Sequence, residues 1–410
     1  MLRKMRYFLL VMSILSMETM SAGKMRLEYQ WKYLDLLWES PQQKQEAIDS
    51  GSYNPSVAFL YDVDKAPDGR VFITASIDKG IPVSVMTVTN KQGEGGPLLR
   101  PYPDWSWYRN TTDCNGLAGG VYQIDIKCNH LFIVDGGRSG DNQLCLPQLL
   151  IFDLSTDKLV RRVRVNIGIA HNKTGRGLLA SLSIYAPNCR NVEKNAVVFM
   201  GDVEGAGLVV YNGRTAKMCR IESDFMKPTN NGFVLDNVSY PLTDTIYGLA
   251  LIGESLYYAA LAGNKIYKIE YSKLMECSGE DIARANQRTK LAGVLNGQTA
   301  AITSDRCVLF FSDITKTSIM CADATKAIDS KNKAVVAHDP KLLQFPSGIK
   351  IRERKLFVLS NKYHIHLMGS SSPHDPRYQH LLNLNETNFR VFSMPIKEIE
   401  KNTNCFSSCN

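Results

Sequence analysis

The sequence predicts an all-β fold, a six-bladed β-propeller with an N-terminal strap and short peripheral helices. Three observations lead to it. A pair of short strands recurs six times, successive copies lie 47 to 67 residues apart, and no linker-like change of composition interrupts residues 55–365. Repeats of this length suit one four-stranded blade each, and such blades close into a ring.

The repeat is clearest in residues 121–137, which read VYQIDIKCNHLFIVDGG. Two apolar runs, rich in β-branched and aromatic residues, flank a short polar break that carries Cys128. The alternation within each run predicts a β-hairpin. The second strand carries an aromatic residue in every copy: Phe72, Phe132, Phe199, Tyr257, Phe310 and Phe357.

The chain divides into a leader, a strap and one large domain. Arg3, Lys4 and Arg6 precede a ten-residue apolar run at 7–16, and small residues stand at Ser21 and Gly23. This pattern predicts a signal peptide over residues 1–23, because the apolar run is too short to cross a bilayer. Residues 24–56 then form the strap, and residues 57–410 form the propeller.

Ser40, Pro41 and Gln43 have the spacing of a helix start, with Ser40 as N-cap. We expect a second short helix near residues 280–288 and a long polar crossover over 222–245. The strand predicted at 388–399 would complete the last blade and close the ring.

Charge and cysteine usage favour an extracellular protein without nucleic-acid or membrane partners. The formal net charge is +8, or +6 without the leader, and the basic residues are scattered rather than clustered. No later stretch has the roughly 20 apolar residues of a membrane-spanning helix. All ten cysteines follow the leader, and their even number fits an oxidising compartment. Sequons for N-glycosylation stand at Asn110, Asn172, Asn237 and Asn385.

The sequence contains no motif of a hydrolase nucleophile, a P-loop, an HExxH zinc pair or a CxxC redox pair, so we predict no catalytic residue and no cofactor. The glycine-rich run at 201–210 follows one strand and precedes another, which favours a hairpin turn over a dinucleotide loop. His364 and His366 share a face of a predicted strand, with His374 and Asp375 beyond. Ordinary polar surface is preferred there to a zinc site, and we predict no metal.

Three acids, Asp135, Asp202 and Asp313, end equivalent second strands. Two interpretations stay open for them. The carboxylates either converge near one mouth of the central channel, where they would hold a cation, or each accepts backbone N–H groups within its own blade turn. For Trp105 and Trp107 we prefer packing between blades to a platform for stacking a ligand.

The chain resembles the insect yellow / major royal jelly protein family. The resemblance rests on runs such as GSYNPSVAF, LLRPYPDWSW, KCNHLFIVDGG, IYGLALI, LNGQTAA, FPSGIKI and LFVLSNK, and it extends through all six repeats. Within the family, the strap and the additional cysteines look most like the eggshell-associated yellow-g branch.

The resemblance implies three disulfides, Cys114–Cys145, Cys128–Cys189 and Cys321–Cys405. It leaves Cys219, Cys277, Cys307 and Cys409 either to form two further bridges or to join separate chains. It also implies a ligand pocket at one mouth of the channel. The positions that match those of amine-binding salivary members are Gln298, Ser347, Asn361 and Tyr363, with Tyr247 nearby.

Two departures from the family pattern bear on the ligand. Gln298 stands where the amine-binding members carry a carboxylate, and Gly348 stands where the family often has aspartate. The resemblance therefore implies a secreted, non-catalytic structural or small-ligand-binding component of eggshell (chorion) or cuticle, active in pigmentation or hardening. The partners would be matrix proteins and a small aromatic amine or lipophilic molecule. The alternatives are a dopachrome-converting enzyme of melanization and a dedicated biogenic-amine binder.

Overall fold

The strands of the chain build six four-stranded antiparallel sheets arranged as a propeller. The computed structural model describes residues 24–109, 113–235, 238–277, 282–366 and 382–409. The prediction of a six-bladed propeller is confirmed.

Each blade is a meander that begins at its innermost strand. Blade 1 contains β2 (Leu60–Lys65), β3 (Val71–Ala75), β4 (Val85–Gln92) and β5 (Pro97–Pro101). Blade 2 contains β6 (Ile124–Lys127), β7 (His130–Asp135), β10 (Gln148–Asp153) and β11 (Lys158–Arg164), with the small hairpin β8 (Arg138–Ser139) and β9 (Asn142–Gln143) inserted. Blade 3 contains β12 (Leu179–Tyr185), β13 (Val197–Asp202), β14 (Gly207–Asn212) and β15 (Lys217–Glu222).

The second half of the ring follows the same plan. Blade 4 contains β18 (Ile246–Ile252), β19 (Ser255–Ala260), β20 (Lys265–Glu270) and β21 (Lys290–Val294). Blade 5 contains β22 (Ile302–Asp305), β23 (Val308–Asp313), β24 (Ser318–Asp323) and β25 (Lys333–His338). Blade 6 contains β26 (Phe345–Arg352), β27 (Lys355–Asn361) and β28 (Phe389–Pro395), and its fourth strand is β1 (Arg26–Trp31).

The helices lie at the periphery, between strands or blades. Within the described residues they include α1 (Pro41–Asp49), α2 (Ile167–Ala170), α3 (Val192–Asn195), α4 (Tyr271–Met275), α5 (Ile282–Arg288) and α6 (Ile396–Asn402), with 3-10 turns at Trp105–Tyr108 and Asp224–Met226. Helix α1 starts as predicted, since the Gln43 amide N–H donates to the Ser40 hydroxyl at 3.1 Å. The crossover at 222–245 is more ordered than predicted, because it contains the hairpin β16 (Gly232–Leu235) and β17 (Val238–Pro241).

The six innermost strands surround the channel. Each contacts the innermost strand of the next blade, from β2 through β6, β12, β18, β22 and β26 and back to β2. The repeated aromatic residue lies on the second strand of every blade and is buried, with Phe72, Phe132, Phe199 and Phe310 fully enclosed. Burying each such ring contributes about 1.5–3 kcal/mol, so the aromatic repeat marks the core between the blades.

Tight turns connect the first two strands of a blade. In the central repeat, Cys128 and Asn129 have φ angles of 53° and 56°. Positive φ at both central residues is the geometry of a type I′ turn, whose twist matches that of the two strands. The same geometry recurs at Glu353 and Arg354 in blade 6, with φ angles of 50° and 59°.

The N-terminal strap closes the ring by joining blade 6 to blade 1. Its strand β1 pairs with β28 as the outermost strand of blade 6, so residues 26–31 belong to the propeller sheet itself. The chain then crosses to blade 1, where the indole of Trp31 donates to the Pro97 carbonyl at 2.7 Å. The strap lies close to the backbone of blade 1, because a Cβ on Gly96, whose φ is 142°, would lie 2.5 Å from the Gln30 carbonyl oxygen.

Five disulfides fasten loops and blades to one another. Three are the pairs that the resemblance implies, Cys114–Cys145, Cys128–Cys189 and Cys321–Cys405. The other four cysteines pair within the chain as Cys219–Cys277 and Cys307–Cys409, rather than joining separate chains. Cys128–Cys189 links blade 2 to blade 3, and Cys219–Cys277 links blade 3 to blade 4. The two bridges from blade 5 hold the C-terminal tail.

Replacing Trp31 with alanine should loosen the ring closure. Trp31 is fully buried, and the substitution removes both its packing and its hydrogen bond to Pro97. We therefore expect the free energy of unfolding to fall by about 3–5 kcal/mol. Leu27→Ala is the matched control, because Leu27 lies on the same strand and is 44% exposed. Urea denaturation measures both variants. Equal stability losses in the two would contradict this role of Trp31.

Candidate functional site

A cavity of about 180 Å³ opens at one mouth of the channel, where the innermost strands begin. It is lined from blades 1, 2, 3, 4 and 6, so it exists only in the closed ring. Five aromatic rings form much of its wall: Tyr61, Tyr122, Tyr247, Phe345 and Tyr363. Its polar side chains are Arg138, Glu204, Asp244 and Ser347.

The aromatic wall is rigid because its rings pack against one another. Tyr61 meets Tyr122 edge to face at a centroid distance of 4.9 Å, and Phe345 lies 4.9 Å from Tyr363. Burial raises the pKa of Tyr61, Tyr122, Tyr247 and Tyr363 above the usual value of a phenol. The phenols are therefore neutral at physiological pH, and their ring faces offer negative electrostatic potential to a cation.

Arg138 and Glu204 form a two-pronged ion pair on the cavity wall. The guanidinium Nη1 and Nη2 donate to the two carboxylate oxygens at 2.9 and 2.5 Å. Arg138 follows β7 of blade 2 and Glu204 lies in the β13–β14 turn of blade 3, so the pair also joins two blades. Its charges neutralise each other.

Asp244 is the acid of the cavity that has no cation beside it. It lies two residues before β18, and across the described parts of the chain no hydrogen bond or ion pair reaches its carboxylate. Burial, together with the nearby Glu204 carboxylate, raises the pKa of Asp244 to about 7. A half-buried acid without a counter-ion gains from any positively charged ligand.

The structure places the five predicted ligand residues at different depths. Tyr247, Ser347 and Tyr363 line the cavity. The Ser347 hydroxyl already donates to the Tyr61 carbonyl at 2.5 Å and accepts from the Asn361 amide at 2.8 Å. Asn361 therefore lies behind Ser347, where it also donates to the Leu60 carbonyl at 3.0 Å. These two residues fix blade 6 to blade 1.

The surroundings of Gln298 and Gly348 also differ from those that the family resemblance implies for a ligand site. The Gln298 amide lies outside the cavity wall and donates to the Gly232 carbonyl at 2.9 Å, which ties the β16–β17 hairpin to blade 5. A Cβ on Gly348 would lie 2.5 Å from Oδ1 of Asp62. The space that an aspartate at 348 needs is thus taken by Asp62, on the facing strand.

Deeper in the channel, buried ion pairs join three blades. The Lys350 ammonium lies 3.0 Å from Asp62, and the Arg352 guanidinium lies 2.7 Å from Asp64 and 2.6 Å from Asp125. Burial raises the pKa of Asp62 to about 6, although Lys350 opposes the shift. These residues lie further along the innermost strands than the residues that line the cavity.

The three strand-ending acids take the second of their two interpretations, since none of them lines the cavity. Asp135 accepts the Gly137 and Ala118 amides at 2.9 and 3.0 Å. Asp202 accepts the Leu178 and Gly205 amides, both at 2.8 Å, and pairs with Arg220 at 2.8 Å. Asp313 accepts the Lys316 amide at 3.1 Å. Each carboxylate therefore stabilises the turn after its own strand.

The histidines lie in a short helical turn at residues 363–366, not on the predicted strand. The His366 ring packs 4.7 Å from Phe59, and burial lowers the pKa of His366 to about 4. His374 and Asp375 lie outside the described residues. Within the described residues, no group of three or more His, Cys, Asp or Glu side chains is arranged to hold a metal ion.

The glycine-rich run and the two tryptophans noted in the sequence take part in a turn and in packing. The glycine-rich run at 201–210 forms the turn between β13 and β14. Trp105 stacks on Trp38 at 4.8 Å, and Trp107 meets Phe152 at 5.0 Å, both as packing. In the described ranges no helix has the length and apolar character to span a bilayer.

Two of the four sequons can be placed, and their asparagines differ in environment. Asn385 is exposed. The Asn172 amide is held in a turn, where its Oδ1 accepts from Thr174 and Arg176 and its Nδ2 donates to Gly205 at 3.3 Å. Asn110 and Asn237 lie outside the described residues.

Sequence reasoning missed Tyr61, Tyr122, Arg138, Glu204 and Asp244. A signal existed for the acids, because Asp244 directly precedes an innermost strand and Glu204 lies in a turn after a strand-ending acid. Their convergence depends on how neighbouring blades meet, which the repeat pattern does not give.

Fold and site together define a six-bladed propeller with an acidic, aromatic cavity at one mouth of its channel. The family model for major royal jelly proteins matches residues 120–405. Major royal jelly protein 8 of Apis mellifera is 32% identical over 94% of this chain and 94% of its own length. Major royal jelly protein 9 of the same species is 31% identical over 95% of this chain and 92% of its own. The chain belongs to the major royal jelly protein family.

Among solved structures, an α-L-arabinofuranosidase of Fusarium graminearum has a TM-score of 0.50 at 9% identity, covering 92% of this chain and 99% of its own. This likeness reflects the fold alone. The assignment to the yellow-g branch stays a prediction.

Proposed function

We propose that this chain is a secreted, non-catalytic propeller that binds a small aromatic amine in the channel cavity, as a ligand-holding component of eggshell or cuticle. The observation that carries the proposal is the unpaired Asp244 carboxylate inside an aromatic cavity. An ammonium group would supply the missing counter-charge, and the tyrosine faces would add cation–π attraction.

The size of the cavity narrows the ligand class. Its volume of about 180 Å³ lies below the roughly 300–1,000 Å³ of pockets for drug-sized ligands. A one-ring or two-ring amine suits this space better than a large lipophilic molecule. The Arg138–Glu204 pair neutralises itself, so Asp244 sets the charge preference.

An extracellular site of action is supported by the five disulfides, since such bridges persist in oxidising compartments. The eggshell or cuticle setting rests on the resemblance to the yellow-g branch. Because all ten cysteines pair within the chain, matrix attachment would use non-covalent contacts rather than disulfides between chains.

Asp244→Asn should weaken binding of a primary aromatic amine such as 2-phenylethylamine by about 10-fold, because an unpaired, half-buried charge is worth roughly 1.4 kcal/mol to its counter-ion. Isothermal titration calorimetry at pH 8 measures the affinity. Asp49→Asn is the control: it removes the same charge from an exposed site on α1. Equal affinity of wild type and Asp244→Asn, or no binding by wild type, would overturn the proposal.

Binding should strengthen as pH rises from 6 to 8. With the pKa of Asp244 at about 7, the carboxyl is mostly protonated at pH 6 and mostly ionised at pH 8, while the amine stays charged. The affinity should therefore increase about 10-fold across this range. Titrations at both pH values test this. A flat profile for wild type, or the same slope in Asp244→Asn, would show that another group controls binding.

Conversion of dopachrome is a second candidate, favoured by the same acid. A carboxyl whose pKa is about 7 is suited to general acid–base catalysis near neutral pH, and the tautomerisation only moves protons, two in all, from carbon to the quinone oxygens.

If the cavity is catalytic, purified protein should speed the loss of dopachrome absorbance, and Asp244→Asn should lower the rate by about 100-fold, the lower end of the usual range for a general base. Asp49→Asn should match wild type. A rate equal to the buffer reaction would dismiss the enzymatic candidate and leave amine binding in place.

A further inference from the structure

Tyr185 and Tyr271 form a pair of tyrosine rings at the junction of blade 3 and blade 4. Tyr185 is the last residue of β12, and Tyr271 is the first residue of α4, which follows the third strand of blade 4. Their ring centres lie 4.7 Å apart, with an angle of 37° between the ring planes. Both residues are half-buried, so the pair is reachable from solvent.

The backbone on each side holds the two rings in place. Tyr185 is paired with Val197 in the sheet of blade 3. The Tyr271 amide N–H donates to the Glu254 carbonyl at 3.1 Å, and Leu274 anchors the same helix in the core, where it is fully buried. The contact between the rings is therefore fixed by the fold.

The two hydroxyl groups are neighbours as well. Burial and the adjacent Tyr185 hydroxyl together raise the pKa of Tyr271 to about 12, so Tyr271 is a neutral phenol at physiological pH. Because the hydroxyls lie side by side on adjacent rings, the ring carbons next to them also come close. These are the carbons that join when two tyrosines couple oxidatively.

Two other tyrosine pairs of the chain lack this arrangement. Tyr61 and Tyr122 meet edge to face at 65°, which sets the edge of one ring against the face of the other. Tyr258 and Tyr267 lie further apart, at 5.8 Å, and both are buried. Proximity, alignment and access to solvent come together at the junction of blades 3 and 4.

We propose that Tyr185 and Tyr271 are a site of oxidative cross-linking, at which a peroxidase and hydrogen peroxide join the two rings as dityrosine. Each phenol loses one electron and one proton to the oxidant and becomes a phenoxyl radical. A bond then forms between the ring carbons beside the two hydroxyl groups, and the hydrogens of those carbons move to the oxygens. One hydrogen peroxide takes up the two electrons and two protons and becomes two molecules of water.

Proximity favours this bond over coupling between chains. Holding two reacting groups in contact replaces a collision between molecules with a step inside one molecule, which raises the rate strongly. Two rings joined by one carbon–carbon bond have centres only slightly closer than the observed 4.7 Å, so the blades need little movement. The bond would join the two blades that Cys219–Cys277 already links, and unlike that disulfide it would resist reduction.

Peptide mapping of the full chain with its disulfides intact tests the inference. The protein is treated with a heme peroxidase and hydrogen peroxide, and the monomer is isolated, reduced and cut with trypsin. We expect the peptide of residues 177–190 to be linked to that of residues 269–273, with two hydrogens fewer than their sum. Diluting the protein about 10-fold should leave the yield per chain unchanged, because the step is intramolecular.

Tyr185→Phe and Tyr271→Phe should each abolish the linked peptide, since phenylalanine forms no phenoxyl radical. Tyr267→Phe is the matched control, because it removes a hydroxyl from the buried tyrosine pair within blade 4. It should leave the yield unchanged. Circular dichroism checks that the three variants fold.

Two results would overturn the inference. One is a monomer that carries no link between the two peptides, while the same peroxidase oxidises free tyrosine in a parallel reaction. The other is an equal yield from protein that has been reduced and unfolded in urea, because the fold would then contribute nothing. Neither result bears on amine binding, since neither Tyr185 nor Tyr271 lines the cavity.

Discussion

The join between blade 6 and blade 1 is the constraint on which the rest of the structure depends. A propeller is a strip of sheets until its ends meet, and here they meet twice. At the rim, β1 completes blade 6 before the strap crosses to blade 1. At the axis, Lys350 and Arg352 of β26 pair with Asp62 and Asp64 of β2.

The cavity inherits its shape from this join. Tyr61 belongs to the first blade, whereas Phe345 and Tyr363 come from the last blade and the turn that follows its second strand. The hydrogen bonds from Ser347 and Asn361 to β2 carbonyls hold the two sides in register. Ser347 and Asn361, which the sequence suggested as ligand contacts, therefore hold blade 6 against blade 1. The aromatic residues that this join positions form the cavity wall.

The channel treats its charges in two ways. Its inner layer pairs each buried carboxylate with a cation, which offsets the cost of removing both from water. At the mouth, Asp244 is left without a cation among the described residues, and its pKa rises accordingly. A group that is destabilised in the free protein is a group that a ligand can stabilise, so the imbalance points to binding at the mouth and to structural support below it.

The sequence by itself determined the fold, because six copies of one hairpin, each with a buried aromatic on its second strand, allow little besides a ring of six blades. It also determined the oxidised cysteines, and the family resemblance paired six of them. The sequence located Asp135, Asp202 and Asp313 at the ends of second strands. A carboxylate at a strand end can either stabilise the following turn or face the channel, and the local sequence pattern does not distinguish these two roles.

Only the tertiary structure decided the site. Asp244, Arg138 and Glu204 come from different blades, so their proximity depends on the angles at which blades pack. The same is true of β1, whose place in blade 6 depends on a partner strand more than 350 residues away. Hydrophobic periodicity is a local property of the chain, whereas a cavity on the axis of a ring is a property of its closure.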